Sequence, residues 1–251
     1  SNQPPVNANT QILSNLSMDG KAWFIHPVAM INYFNENSPE IIFPLKVKPI
    51  NNYDKQFGKN FNWTKNNNQT MFGWRRSGGR KHAARDLYTE PETEIVAISD
   101  GIVLEISNFY SQTYQITIKH ETKSGQQFII RYGEVDKESV KVEVGDVVKQ
   151  GTIIAKTGLL LKELKKGEKS SHIVEIKISP KITKRYRPEL IIDGKIIYML
   201  HLEYYSGTTG LDLKKPLTDR SKKPYQRRAD ITDPIELLKE GYRNSFASDP
   251  Q

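Results

Sequence analysis

Val96-Ala97-Ile98-Ser99-Asp100-Gly101-Ile102-Val103-Leu104-Glu105-Ile106 is two short apolar runs joined by a tight-turn dipeptide. Asp-Gly between β-branched runs favours a hairpin, because the turn needs positive φ that Gly supplies without strain. The runs extend to strands expected over 94–99 and 101–109. Downstream, 114–120 and 127–132 have the same texture, with Ser124-Gly125 as the turn between them. Val140 to Gly151 leads through two glycine turns, at Gly145 and Gly151, into a strand over 152–156. No helical pattern fits between these strands, so the crossovers that a parallel sheet requires are excluded. The expected fold is mainly β: an antiparallel sandwich or partly open barrel with short flanking helices.

Upstream, residues 1–20 are rich in Asn, Pro and Ser and read as a tail. A short helix is expected after Pro27, with His26 packing or capping beside it. Residues 36–72, with many Asn and Lys among scattered Phe and Trp, read as irregular chain covering one face of the main domain. Downstream, 159–198 breaks the strand rhythm as an insertion. It holds a charged loop over 162–169, a strand over 172–178 and a hairpin at Ile191-Ile192-Asp193-Gly194-Lys195-Ile196-Ile197. We expect that hairpin to extend the main sheet and the charged loop to wall the site. A strand over 199–205 follows, then a basic loop over 214–228. Asp233 and Pro234 cap a last helix over 235–242. The domain plan is an N-terminal segment over 1–73, a main domain over 74–244 with the insertion at 159–198, and a tail over 245–251.

The 251 residues include no Cys, so no disulfide forms and any metal must be held through His, Asp or Glu. No run of about 18 apolar residues occurs, so no membrane span is expected. No signal peptide is visible, and Ser1-Asn2 reads as a cloning remnant. The net charge of +8 suits an anionic partner, such as a membrane surface or the bacterial cell wall. No nucleic-acid motif accompanies it.

His82 and Asp86 offer an imidazole and a carboxylate four residues apart, and His201 offers a second imidazole inside an apolar strand. Two His and one carboxylate form a protein ligand set for a catalytic zinc, with one position left open. Taken singly, His82 is a surface residue of a basic loop and His201 an ordinary sheet histidine. Their context decides otherwise. His82-Ala83-Ala84-Arg85-Asp86, the turn around Asp100-Gly101, the Gly145-Asp146-x-Val148-x-x-Gly151 segment and Met199-Leu200-His201-Leu202-Glu203 occur in one order over 74–207. That order resembles the lysostaphin/LytM-type zinc metallopeptidases, which cleave peptide cross-links of bacterial peptidoglycan.

The resemblance implies zinc held by His82, Asp86 and His201. Two departures stand out. Met199 occupies the first His of the family's His-x-His strand, and Glu134, in Arg131-Tyr132-Gly133-Glu134-Val135, occupies the place of another site histidine. A carboxylate can act as general base toward water in zinc peptidases, so Glu134 is the expected base. Glu203 is expected to orient a ligand histidine. Arg80, Lys81 and Arg131 are the cations expected to meet substrate carboxylates. His172, though followed by Ile173-Val174-Glu175, and His120 at a strand end are expected to be structural.

The implied function is a zinc endopeptidase acting on peptidoglycan stem peptides or cross-links, in the periplasm or cell envelope. The alternative is a degenerate wall-binding or regulatory module that keeps the metal site. The segment 203–233 also resembles peptidase domains of type VI secretion effectors, which implies secretion machinery or an immunity protein as partners.

Overall fold

The computed structural model describes residues 38–54 and 60–251. The chain divides into Ser1–Pro39 and Glu40–Gln251, and every strand and helix named below belongs to the second unit. The expected N-terminal tail, His26 and the helix after Pro27 lie outside the described residues.

The main sheet is antiparallel. It is built from Arg85–Thr89 (β1), Asp100–Asn108 (β3), Tyr114–Glu121 (β4), Gln127–Val135 (β5), Val147–Val148 (β6), Tyr198–Tyr205 (β13) and Ile231–Thr232 (β14). Its order is β1-β13-β5-β4-β3-β6, with β14 pairing the far end of β13. Hairpins join β3 to β4 across residues 109–113 and β4 to β5 at the Ser124-Gly125 turn, whereas Asp100-Gly101 lies inside β3 and the hairpin expected there does not form, because the strand before it pairs elsewhere. Glu94–Val96 (β2) pairs with Ile153–Lys156 (β7) as a separate ladder. Ile95, Ile154 and Ala155 of that ladder share one apolar cluster with Val103, Ile116, Ile118, Phe128, Ile130, Leu200 and Leu202 of the main sheet.

The irregular segment completes this core. Phe43, Leu45 and Trp63 are buried in it, and the rings of Phe43 and Trp63 pack on Tyr242. Tyr242 belongs to the terminal helix α1, Ile235–Phe246. The helix runs one turn further than expected. Asp233 Oδ1 accepts from Ile235 N at 3.1 Å, the capping role read from Asp233-Pro234.

The buried asparagines explain the composition of that segment. Asn51 Nδ2 donates to the carbonyls of Phe61 and Asp86 at 2.9 and 3.1 Å, and its Oδ1 accepts from Tyr88 N at 2.8 Å. One amide side chain thus pairs with the open edge of β1 as a neighbouring strand would. Thr70 O accepts from Asp86 N at 3.0 Å on the same edge.

The insertion differs from expectation. Leu161–Glu163 (β8), Val174–Ser179 (β9) and Ile182–Pro188 (β10) form a three-stranded sheet of their own. Ile191–Ile192 (β11) and Lys195–Ile196 (β12) pair only with each other, so this hairpin does not extend the main sheet. Ile192 and Ile197 instead pack with Met199, Tyr88, Phe61 and Leu160 in a satellite apolar cluster.

Candidate metal centre

β13 lies between β1 and β5, and its register sets the site. His201 stands opposite Asp86 of β1 and Gly133 of β5. His82 precedes β1 by one turn of chain and is held by paired backbone bonds, His82 N to Trp74 O and Gly73 N to His82 O, both 2.8 Å. The chain bends at Ala84 before β1 begins, and the His82 and Asp86 side chains meet in one cluster.

Three donor atoms converge there. His82 Nε2 lies 3.1 Å from Asp86 Oδ1, His201 Nδ1 lies 2.9 Å from the same oxygen, and the two ring nitrogens are 3.3 Å apart. Four ligands about 2.0–2.1 Å from a tetrahedral zinc are separated by about 3.3 Å. All three residues are buried, and they are the group of His and carboxylate side chains able to hold a metal among the described residues.

The outer partners fix which nitrogen faces inward. His82 Nδ1–H donates to Met71 O at 2.8 Å, since a carbonyl only accepts, and this leaves Nε2 with its lone pair toward the cluster. His201 Nε2–H donates to Glu203 Oε1 at 3.2 Å, leaving Nδ1 free to ligate. Glu203 is itself clamped. It accepts from Arg227 Nε at 2.8 Å, Arg131 Nη1 at 3.2 Å and the Tyr205 hydroxyl at 2.5 Å. Burial works to raise its pKa, but Arg131 and Arg227 outweigh that and hold the carboxyl well below its usual range.

The metal-free electrostatics suit a cation. Burial would raise the Asp86 pKa, but His82 and His201 keep it well below the ordinary carboxylate value. Burial would lower the His201 pKa, yet its hydrogen bonds to the Asp86 and Glu203 carboxylates push it up to about 9.

Glu134 follows Gly133, in the left-handed region at φ 62°. Its side chain is buried beside the cluster, and Oε2 has no hydrogen-bond partner among the described residues. Burial and the Asp86 charge push its pKa up to about 8 against the pull of His201. A buried carboxylate oxygen with no protein partner fits a place beside a bound cation. Gly133 is needed beside it: an added Cβ would meet Phe109 Cε1 at 2.8 Å, and the Phe109 ring packs 5.2 Å from His201.

These groups open into a cleft of about 990 Å³. His82, Asp86, Glu134, His201, Arg80, Lys81 and Arg131 all line it, and Glu203 lies beneath. Arg80 and Lys81 are exposed on its rim. Arg131 is buried, donating to Glu203 and to Thr218 Oγ1, with its guanidinium 5.9 Å from the Phe109 ring. Leu160, Glu189 and Leu190 of the insertion wall the cleft, whereas residues 162–169 do not line it.

His172 sits away from the cluster, bonded to Ser171 Oγ. His120 is buried in the core, between the Ser99 carbonyl at 2.9 Å and the Tyr132 hydroxyl at 2.9 Å. Sequence reasoning did not find Tyr205 or Arg227. Tyr205 shares the strand face of His201 and Glu203, a parity signal. Arg227 approaches from a loop, and no local pattern marks it.

Residues 80–174 match Peptidase family M23, a span that holds His82, Asp86 and Glu134 and ends before His201. Among solved structures, the chain is similar to the antimicrobial peptidase lysostaphin from Staphylococcus simulans at 18% identity and TM-score 0.42, covering 74% of this chain and 54% of that one. The catalytic domain of lysostaphin is 17% identical at TM-score 0.40, covering 68% of this chain and 90% of that domain. LytU is 20% identical at TM-score 0.38, covering 70% of this chain and 88% of that one. The chain thus spans about half of full lysostaphin. No curated protein matches it.

Proposed function

Because this chain carries a domain of peptidase family M23, we propose that it is a zinc-dependent endopeptidase that hydrolyses cross-links or stem peptides of bacterial peptidoglycan. One observation carries the reading: three buried donor atoms converge at 2.9–3.3 Å, with both imidazoles held in the ligating tautomer. His82, Asp86 and His201 would hold the zinc, which supplies Lewis acidity toward a peptide carbonyl and toward water.

The remaining work falls to the chain's own groups. Among the described residues that line the cleft, Glu134 is the buried carboxylate other than Asp86, and it takes the proton from the attacking water and returns it to the leaving amine. A dication nearby favours the ionised carboxylate and brings its raised pKa back toward neutrality. Glu203, with Arg131 and Arg227 behind it, orients His201. Arg80 and Lys81 on the rim meet the carboxylates of the stem peptide.

A second reading has its own observation. Met199 lines the cleft and packs with Tyr88, Leu160 and Ile192, so the strand position two before His201 offers no proton acceptor. That favours a metal-holding module that grips the wall without cutting it. Incubating the zinc-loaded protein with purified peptidoglycan and analysing the released muropeptides by mass spectrometry separates the two. New peptide ends support the endopeptidase, and intact wall with retained zinc supports the module. Delivery as an antibacterial effector, implied by the resemblance of 203–233, is part of the same proposal. Toxicity on export to the periplasm and none in the cytoplasm is its test.

A further inference from the structure

Residues 161–188 hold nine Lys and Arg against three Glu, a net +6 in a chain whose total is +8. The rest of the protein is close to neutral, so the basic character is local. This segment is the β8-β10-β9 sheet. Lys162, Lys165, Lys166, Lys169, Lys177 and Lys181 are exposed and have no ion-pair partner among the described residues. Lys184 and Arg185 do have partners, Glu163 at 2.9 Å and Glu175 at 3.8 Å.

The sheet also carries aliphatic residues that build no core. Val174, Ile176 and Ile178 alternate with Glu175 and Lys177 along β9, so they share one face. None of residues 162–188 belongs to the apolar clusters of the molecule. Ile178 is 51% exposed and Ile182 53%, on either side of the Pro180-Lys181 turn at the tip. A hairpin tip with two exposed isoleucines, flanked by the unpaired Lys177 and Lys181 and backed by Lys162, Lys165, Lys166 and Lys169 nearer the root, has the two chemistries that an anionic bilayer surface offers: headgroup charge and an apolar boundary.

We propose that the β8-β10-β9 sheet docks on an anionic lipid surface, with its lysines against the headgroups and Ile178 and Ile182 entering the interface. A soluble polyanion would attract the lysines but would leave the isoleucines in water, so the apolar tip favours lipid. The roots of the sheet, Leu160 and Glu189, line the catalytic cleft, and docking would therefore hold the cleft beside the membrane. This inference does not depend on what the cleft cleaves.

The test is flotation of the whole protein with vesicles of phosphatidylcholine, alone or with one-third phosphatidylglycerol. Binding to the anionic vesicles should exceed binding to the neutral ones by at least about tenfold and weaken with salt, since each lysine near the surface contributes about fivefold. Lys177→Glu/Lys181→Glu should reduce it by more than about tenfold, and Ile178→Ser/Ile182→Ser should reduce it comparably with the charge unchanged. If either double variant loses its fold by circular dichroism, Lys181→Glu and Ile182→Ser carry the same test singly. No flotation with anionic vesicles overturns the proposal. So does an isoleucine variant that binds as the wild type does, which would assign the sheet to a soluble polyanion instead.

Discussion

Glu134→Gln separates chemistry from structure in a single variant. Glutamine keeps the shape but has no basic oxygen. A positioned general base contributes typically about 10²–10⁴-fold in rate, so peptidoglycan cleavage should fall by at least about a hundredfold, with zinc content unchanged. The same change has a second readout in metal-free protein. Burial raises the Glu134 pKa from 4.5 to about 8, so between those values the folded chain keeps a proton that the unfolded chain releases. Stability is therefore fully present below about pH 4.5 and is lost as pH rises through about 8. At about 1.4 kcal/mol per pH unit across that window, the loss is on the order of 5 kcal/mol. Glutamine does not titrate. Chelator-treated Glu134→Gln should match the wild type near pH 4.5 and melt higher than it at pH 8 by calorimetry. Cleavage at the wild-type rate would show that the base lies elsewhere. Parallel melting profiles across the range would show that the carboxyl is not buried and unpaired.

Three other perturbations probe the frame around the site. Glu203→Gln removes the anion that orients His201, and the zinc dissociation constant from competition with a chelator should rise about 10–100-fold. Arg85 grips Asp233 at 2.8 and 2.9 Å and donates to the carbonyls of Trp63 and Lys65. Arg85→Ala should lower unfolding free energy by about 3–5 kcal/mol in denaturant titration while zinc stays bound. Burial lowers the His120 pKa from 6.5 to about 4 against hydrogen bonds that favour its charged form. Its contribution is present above pH 6.5 and is lost as pH falls through about 4, so His120→Phe should flatten the acid side of the melting profile.

β3, β4 and β5 were legible because they are runs rich in apolar and β-branched residues, and Ser124-Gly125 marks the turn from β4 to β5. His82, Asp86 and His201 were singled out through the resemblance, and the fold brings the three together. β1 was not legible, since Arg85-Asp86 reads as charged loop. It is buried only because Asp233, His82, His201 and Asn51 partner what its sequence exposes. β10 was missed for a different reason: Thr183-Lys184-Arg185-Tyr186-Arg187 belongs to a sheet that builds no core, so no apolar period marks it. The hairpin over 191–197 was recognised, but its role was misplaced. Its isoleucines cover Met199 instead of lengthening a sheet, which also accounts for an apolar residue where the resemblance leads one to expect histidine.

The central claim is that His82, Asp86 and His201 hold zinc. Elemental analysis of the purified wild type beside His82→Ala, Asp86→Ala, His201→Ala and His172→Ala tests it most directly. The wild type and His172→Ala should carry stoichiometric zinc, and each of the other three should have lost it, because two remaining ligands hold the ion too weakly to survive purification. Full zinc in His201→Ala would contradict the assignment.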